Sequence, residues 1–298
     1  MPPPAERAPA SRWAAWLSRL AVPIALAGSL AGATGADAKP ARIVSLNLCT
    51  DQILVDLVPR ERIGAVTHLA ADPSVSAAAE AAKGLRITYG SAEDVVALAP
   101  DLVLAGTWTT PATASLLERL GVPLLRVPLA GTIPEVRAVI RAVARAVGEE
   151  ARGEAQIARL DASLAAASRK RREGPRPTAL IYQVSGLASG PGSLADALLE
   201  VAGLRNLAAE LSIGRGGQVP LEILIARPPD ILVLSAAPDE YRTAAADNLR
   251  HPALRHASRS GASVVIPWRL WLCGTEAASR AIDALMAARD ALEDARHR

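Results

Sequence analysis

Beyond its carboxylates, this 298-residue sequence offers little for acid–base, nucleophilic or soft-metal chemistry: four histidines and two cysteines. The histidines are His68, His251, His256 and His297, and none belongs to an H-E-x-x-H motif. His251 and His256 stand five apart, a spacing that diverges on a helix. No ligand cluster for a structural metal is present. No G-x-S-x-G occurs either, since Gly186–Gly190 reads G-L-A-S-G. The surrounding Ser185–Ser193 stretch, SGLASGPGS, is glycine-rich but lacks the Lys-Ser/Thr ending of a phosphate loop, and it reads as a strand-to-helix connection.

Chemistry of another kind collects where short apolar runs end. Cys49 and Thr50 follow the first such run, Ile43–Leu46, in the stretch RIVSLNLCTD. His68 follows the second, and Trp108 lies just past Leu102–Ala105. Tyr182 and Gln183 close the run that opens the second half. Trp268, Arg269, Trp271 and Cys273 come after Val264–Pro267. Aromatic groups at strand ends wall a pocket for a flat or bulky ligand, or cap the core beneath their own lobe. Arg269 pairs with a ligand carboxylate or phosphate, or is solvated. The cysteines have three readings: a disulfide across a cleft, free or soft-metal-ligating thiols, or two separate buried side chains.

The elements that must position these residues alternate. Strand-like runs occur at 42–46, 63–67, 101–105, 123–127, 178–183, 231–234 and 263–266. Helical patterns lie between them at 51–58, 91–98, 111–120, 133–147, 193–202, 220–226 and 276–294. Such alternation implies an α/β fold with parallel pairing. Residues 149–173 break the rhythm as one long amphipathic helix with Ile157, Leu160 and Leu164 as its apolar line, ended by Pro175 and Pro177. The economical division is an N-terminal lobe at 39–148, a linking helix at 149–174 and a C-terminal lobe at 175–298.

An internal echo fits two lobes. Glu93, Ala97, Pro100 and Asp101 recur as Glu222, Ala226, Pro229 and Asp230, each 129 residues later. In both copies a short helix ends at proline, aspartate starts a turn, and a buried strand follows. Glu93 and Glu222 open the matching helices, where an acid suits the helix dipole. As exposed carboxylates, one per lobe, they also suit a two-point dock for a basic partner surface.

The first 38 residues have the three-part pattern of a secretory signal peptide: Arg7, Arg12 and Arg19, an apolar run at Leu20–Ala33, then Ala36-Asp37-Ala38. Export to the periplasm is therefore expected, with a mature chain from about Lys39. Setting aside that segment leaves 30 basic against 28 acidic residues, with no basic stripe to suit nucleic acid.

Taken together, the early R-I-V-S-L turn, the Glu93 and Glu222 units, the long central helix, the Tyr182…Ser189-Gly190 loop and the following Leu198–Asn206 resemble one family. The chain is similar over about 40–296 to the periplasmic substrate-binding proteins of ABC importers for cobalamin, ferric siderophores and haem. The resemblance implies two lobes with parallel-type sheets joined by one long bridging helix, and ligand held between the lobes. It implies a monomeric carrier, not an enzyme, that needs no cofactor because the ligand brings its own iron or cobalt. Glu93 and Glu222 match the acids that dock on a permease dimer, and Trp108 matches a cleft tryptophan. The expected ligand-binding set is Cys49, Thr50, His68, Trp108, Tyr182, Trp268, Arg269, Trp271 and Cys273. Two alternatives stand beside it. A bare Zn or Mn binding protein of the same architecture has only His68 as a candidate ligand. An exported thiol-dependent enzyme would use Cys49 as nucleophile and His68 as base.

Overall fold

The computed structural model describes residues 39–107, 109–170, 174–236, 243, 246–258 and 262–298, with backbone alone at 255–256. Segment 1–38, where the sequence reading expects a signal peptide, and Trp108 lie outside the described residues.

Two sheets form the frame. The first holds β1 (Ile43–Ser45), β2 (Ile63–Thr67), β3 (Ile87–Thr88), β4 (Leu102–Gly106) and β5 (Leu124–Val127), in the order β3-β2-β1-β4-β5. Every pairing in it is parallel. Its connections carry α1 (Leu48–Leu57), α2 (Ala79–Ala82), α3 (Ala92–Ala97) and α4 (Pro111–Arg119), and α5 (Ile133–Val147) follows the last strand. The second sheet begins after α6 (Glu150–Arg169). It holds β6 (Thr178–Tyr182), β7 (Leu187–Ser189), β8 (Arg205–Asn206), β9 (Gly216–Gln218), β10 (Ile231–Leu234) and β11 (Ser263–Val265). Its path is β11-β10-β6-β7-β9, with β8 also on β6. Around it lie α7 (Leu194–Val201), α8 (Leu221–Ala226), α9 (Asp247–Arg250) and α10 (Ala278–Arg296).

The α/β expectation therefore holds, but the second sheet is mixed. β7 runs antiparallel to both β6 and β9. Left-handed backbone at Ser185 and Gly186 turns the chain back, and Tyr182 comes to face Ala188. The glycine-rich stretch read as a plain loop is thus a hairpin whose returning strand takes one end of the β6 edge, while β8 takes the other.

The 129-residue echo has a structural meaning. The Asp101 carboxylate accepts the backbone N–H groups of Ala41 and Arg42, both at 2.8 Å, just before β1. The Asp230 carboxylate accepts the backbone N–H and hydroxyl of Thr178, at 2.7 and 2.8 Å, at the start of β6. Each aspartate, delivered by its proline at the end of a short helix, anchors the first strand of its own sheet. That strand then pairs in parallel with the one that follows the aspartate, β1 with β4 and β6 with β10.

The long helix α6 buries Ile157, Leu160 and Leu164, the apolar line read from its sequence. One continuous apolar cluster joins it to β1 and β4, to β6 and β10, and to α5 and α10. The helix stops at Arg169, short of the prolines expected to end it. Arg289, 1% exposed, reaches across from α10 to donate to Lys170 O at the end of α6 and to Ala202 O at the end of α7. A buried guanidinium there satisfies carbonyls that the two helix ends leave open.

Close approach of α5 and α6 depends on Gly153. A Cβ at that position would fall 2.4 Å from the Ala144 Cβ. Gly153→Leu is therefore expected to push the helices apart and cost about 1–3 kcal/mol, read as a lowered midpoint in chemical denaturation. An unchanged midpoint would show that the helix pair has slack.

Candidate functional site

Parallel strands present ligand-binding groups at their carboxyl ends, and the described residues there fall into two groups. One group faces inward. Asn47 caps α1, its side-chain oxygen accepting the N–H groups of Cys49 and Thr50. The helical pattern read from 51 therefore starts earlier, at Leu48, so that Cys49 and Thr50 lie in the first turn of α1. Thr50 is fully buried, with its hydroxyl on Ser45 Oγ at 2.7 Å and Asn47 O at 2.9 Å. Tyr182 is 1% exposed, and burial pushes its phenol upward in pKa. Trp271 is 7% exposed, packed into the main core, with its indole N–H on Ile266 O at 3.4 Å. Thr50, Tyr182 and Trp271, expected to face a ligand, are buried in this structure.

Three residues of the other group line a cleft. Gln183 after β6, Ser235 after β10 and Trp268 after β11 line a space of about 330 Å³, with Val184, Leu187, Thr243 and, from the first half, Val75. Arg269 stands beside Trp268, half-buried and without a carboxylate partner among the described residues. On the first sheet, β2 pairs with β3 so that Thr67 and Thr88 are partners. The residues that follow, His68 and Tyr89, emerge side by side. Both are exposed, and their rings stack with centroids 5.0 Å apart at 24°. Tyr89 is 80% exposed. Reading the sequence missed it because the strand before it has only two residues and no apolar run to announce it.

Cys49 and Cys273 form a disulfide, so no thiol is left for a Cys49 nucleophile. The bond ties the start of α1 to the segment before α10, 224 residues away. It borders a narrow cavity of about 30 Å³ with Asn47, Gly106, Thr107, Leu129 and Leu272. Nearby, Arg159 of α6 bridges Asp56 of α1 and Glu276, which lies between the disulfide and α10. Among the described residues no group of three His, Cys, Asp or Glu is placed to hold a metal ion.

Glu93 and Glu222 are both exposed in the first turns of α3 and α8. The residues three further on, Val96 and Ile225, are also exposed, at 40% and 48%.

Asp51, in the first turn of α1, is fully buried. Its carboxylate accepts the Thr67 hydroxyl at 2.5 Å and the Thr67 N–H at 3.3 Å, holding the strand that leads into His68. Burial raises its pKa to about 7 against the pull of hydrogen bonds from Ser45 and Thr67. The folded chain thus keeps a proton that an unfolded aspartate has already released, and this group makes stability fall as pH rises from about 4 to about 7. Asp51→Asn is expected to flatten that fall, measured as denaturation midpoints between about pH 5 and about pH 7.5. Equal slopes in variant and parent would place the Asp51 pKa near that of an ordinary aspartate.

Three comparisons bear on the frame. The family model described as periplasmic binding protein matches residues 43–258. A curated cobalamin-binding protein of Halobacterium salinarum is 25% identical over 240 residues, 80% of this chain; the chain spans 63% of that relative's length. Among solved structures, the periplasmic heme-binding protein RhuT from Roseiflexus sp. RS-1, in its apo form, superposes with a TM-score of 0.70 at 27% identity. That match covers 84% of this chain and 98% of the other. The periplasmic heme-binding protein BhuT, in complex with two hemes, gives a TM-score of 0.69 at 25% identity over the same shares. With two sheets flanked by helices, and a family match over most of its length, the chain belongs to the periplasmic binding protein family.

Proposed function

We propose that this protein captures a metal chelate or corrinoid, such as haem, cobalamin or a ferric siderophore, in the periplasm and delivers it to an ABC importer. The observation that carries this reading is the cleft of about 330 Å³ at the strand ends, in a chain of this family. The relatives named for cobalamin and heme support the ligand class. So does the chemistry of the site. Trp268 offers an aromatic face and Arg269 a cation for a carboxylate. His68 and Tyr89 offer an imidazole and a phenol, both of which ligate haem iron in proteins. The metal is part of the cargo. Trp108 keeps its place in the proposal through the family resemblance alone.

Delivery rests on Glu93 and Glu222. They occupy equivalent exposed positions in the two copies of one sequence unit, which suits a partner with two equivalent cationic pockets. The exposed Val96 and Ile225 give each carboxylate an apolar flank. No observation favours the bare-ion reading.

Tryptophan fluorescence and absorbance titrations with haemin, cobalamin and ferric hydroxamates test capture. One of them is expected to bind, and His68→Ala with Tyr89→Ala to weaken that binding by about tenfold or more, a change of about 1.4 kcal/mol. Silence across the panel would overturn the ligand class. Glu93→Ala with Glu222→Ala is expected to abolish uptake in cells while leaving the titration unchanged. A loss of ligand affinity in that double variant would remove the docking role.

A further inference from the structure

We propose that the Cys49–Cys273 disulfide is a thiol–disulfide exchange site, taking a dithiol as reductant, and that its redox state sets the order of the Trp268–Cys273 wall of the cleft.

The two sulfurs stand in unequal surroundings. Both cysteines line the narrow cavity, but as residues Cys49 is partly exposed and Cys273 only 9% exposed. Beside Cys273 lies Gln52, three residues after Cys49 on α1 and only 3% exposed. Its Nε2 donates to Cys273 Sγ at 3.4 Å. Its Oε1 is buried and has no hydrogen-bond partner among the described residues. A disulfide sulfur is a weak acceptor and carries no proton to give, so it serves one end of this amide poorly and the other not at all. The reduced cysteine serves one end or the other better, according to its protonation. A Cys273 thiolate accepts the Gln52 N–H as a charge-assisted bond, and a Cys273 thiol donates its S–H to Oε1.

This arrangement gives the exchange a direction. The thiolate of an incoming dithiol attacks the more accessible Cys49 Sγ and forms a mixed disulfide there. The Cys49–Cys273 bond breaks, and its electron pair leaves on Cys273 Sγ, facing the Gln52 N–H. Stabilising the leaving thiolate speeds such a step. The second thiol of the reductant, as its thiolate, then attacks its own bonded sulfur and expels the Cys49 thiolate. The reductant ends as a cyclic disulfide, and the protein gains two electrons and, once both sulfurs are protonated, two protons.

Reduction cuts the covalent tie between the start of α1 and the segment that follows Trp268 of the cleft. Between β11 and that tie the chain is held by the Trp268 N–H on Ser235 O, by the 3-10 turn Trp268–Leu270, and by Trp268, Leu270 and Trp271 packed on the core. Reduction removes the covalent restraint from this set, and the segment carrying Trp268 and Arg269 is then held by those noncovalent contacts alone. The inference needs no bound ligand and stands or falls apart from the chelate reading.

The test uses the full chain and dithiothreitol, with thiols trapped by alkylation and located by mass spectrometry. The first mixed disulfide is expected on Cys49. Gln52→Leu is expected to be reduced about tenfold more slowly than the parent, with Gln52→Met standing in if the leucine variant fails to fold. Amide hydrogen exchange of the parent is expected to rise across 268–274 on reduction while α6 and α10 stay protected. A first adduct on Cys273, folded Gln52 variants reduced at the parent rate, or unchanged exchange across 268–274 would each overturn the proposal.

Discussion

A carboxylate set just behind a proline fixes the start of each sheet, and the layout of the cleft follows from it. Asp101 grips the chain before β1, and Asp230 grips the first residue of β6. Each contact fixes where a central strand begins against its parallel neighbour. Because strand length and pleat are given, it also fixes which side chains emerge at the far end. Asn47 and Gln183 come out at those ends by that count. The anchor is inexpensive, since charged acceptors paired with backbone N–H groups make strong hydrogen bonds. It is also repeated, once in each sheet.

What fills the space between the sheets decides which aromatics serve the interior and which serve the opening. One apolar cluster runs from the first sheet through α5, α6 and α10 to the second. Trp271 and Tyr182 are drawn into apolar packing, since burying rings of that size is among the larger gains available to a chain with no phenylalanine. Trp268, three residues earlier, stays at the edge and becomes a wall. The disulfide sits at the boundary between these two fates, holding the start of α1 against the approach to α10. A cleft built on a shared core and a covalent tie is largely pre-formed, which keeps the ordering cost of binding low.

Much of this was legible beforehand. The seven apolar runs read from sequence are all strands, and the helix at 133–147 has the bounds its pattern announces, with a Thr132–Glu135 capping box and a glycine stop. The 129-residue echo was visible as spacing, though its anchoring role needed the paired strands. The hidden parts share a physical cause. Two-residue strands such as β3 and β8 have no period to detect, so Tyr89 went unnoticed. The β7 hairpin lay inside a stretch whose glycines argued only for a loop. Strand-end position alone could not separate Trp268 from Trp271, because burial there is decided by what packs from the other half. The disulfide was one of three readings until the two loops were seen to meet.

Native mass spectrometry of the full chain isolated from its own periplasm addresses the central claim most directly. The account predicts one protein carrying a stoichiometric metal chelate or corrinoid, released on denaturation with its iron or cobalt still bound. Recovery of a bare metal ion or of a metal-free solute as the stoichiometric passenger would contradict it.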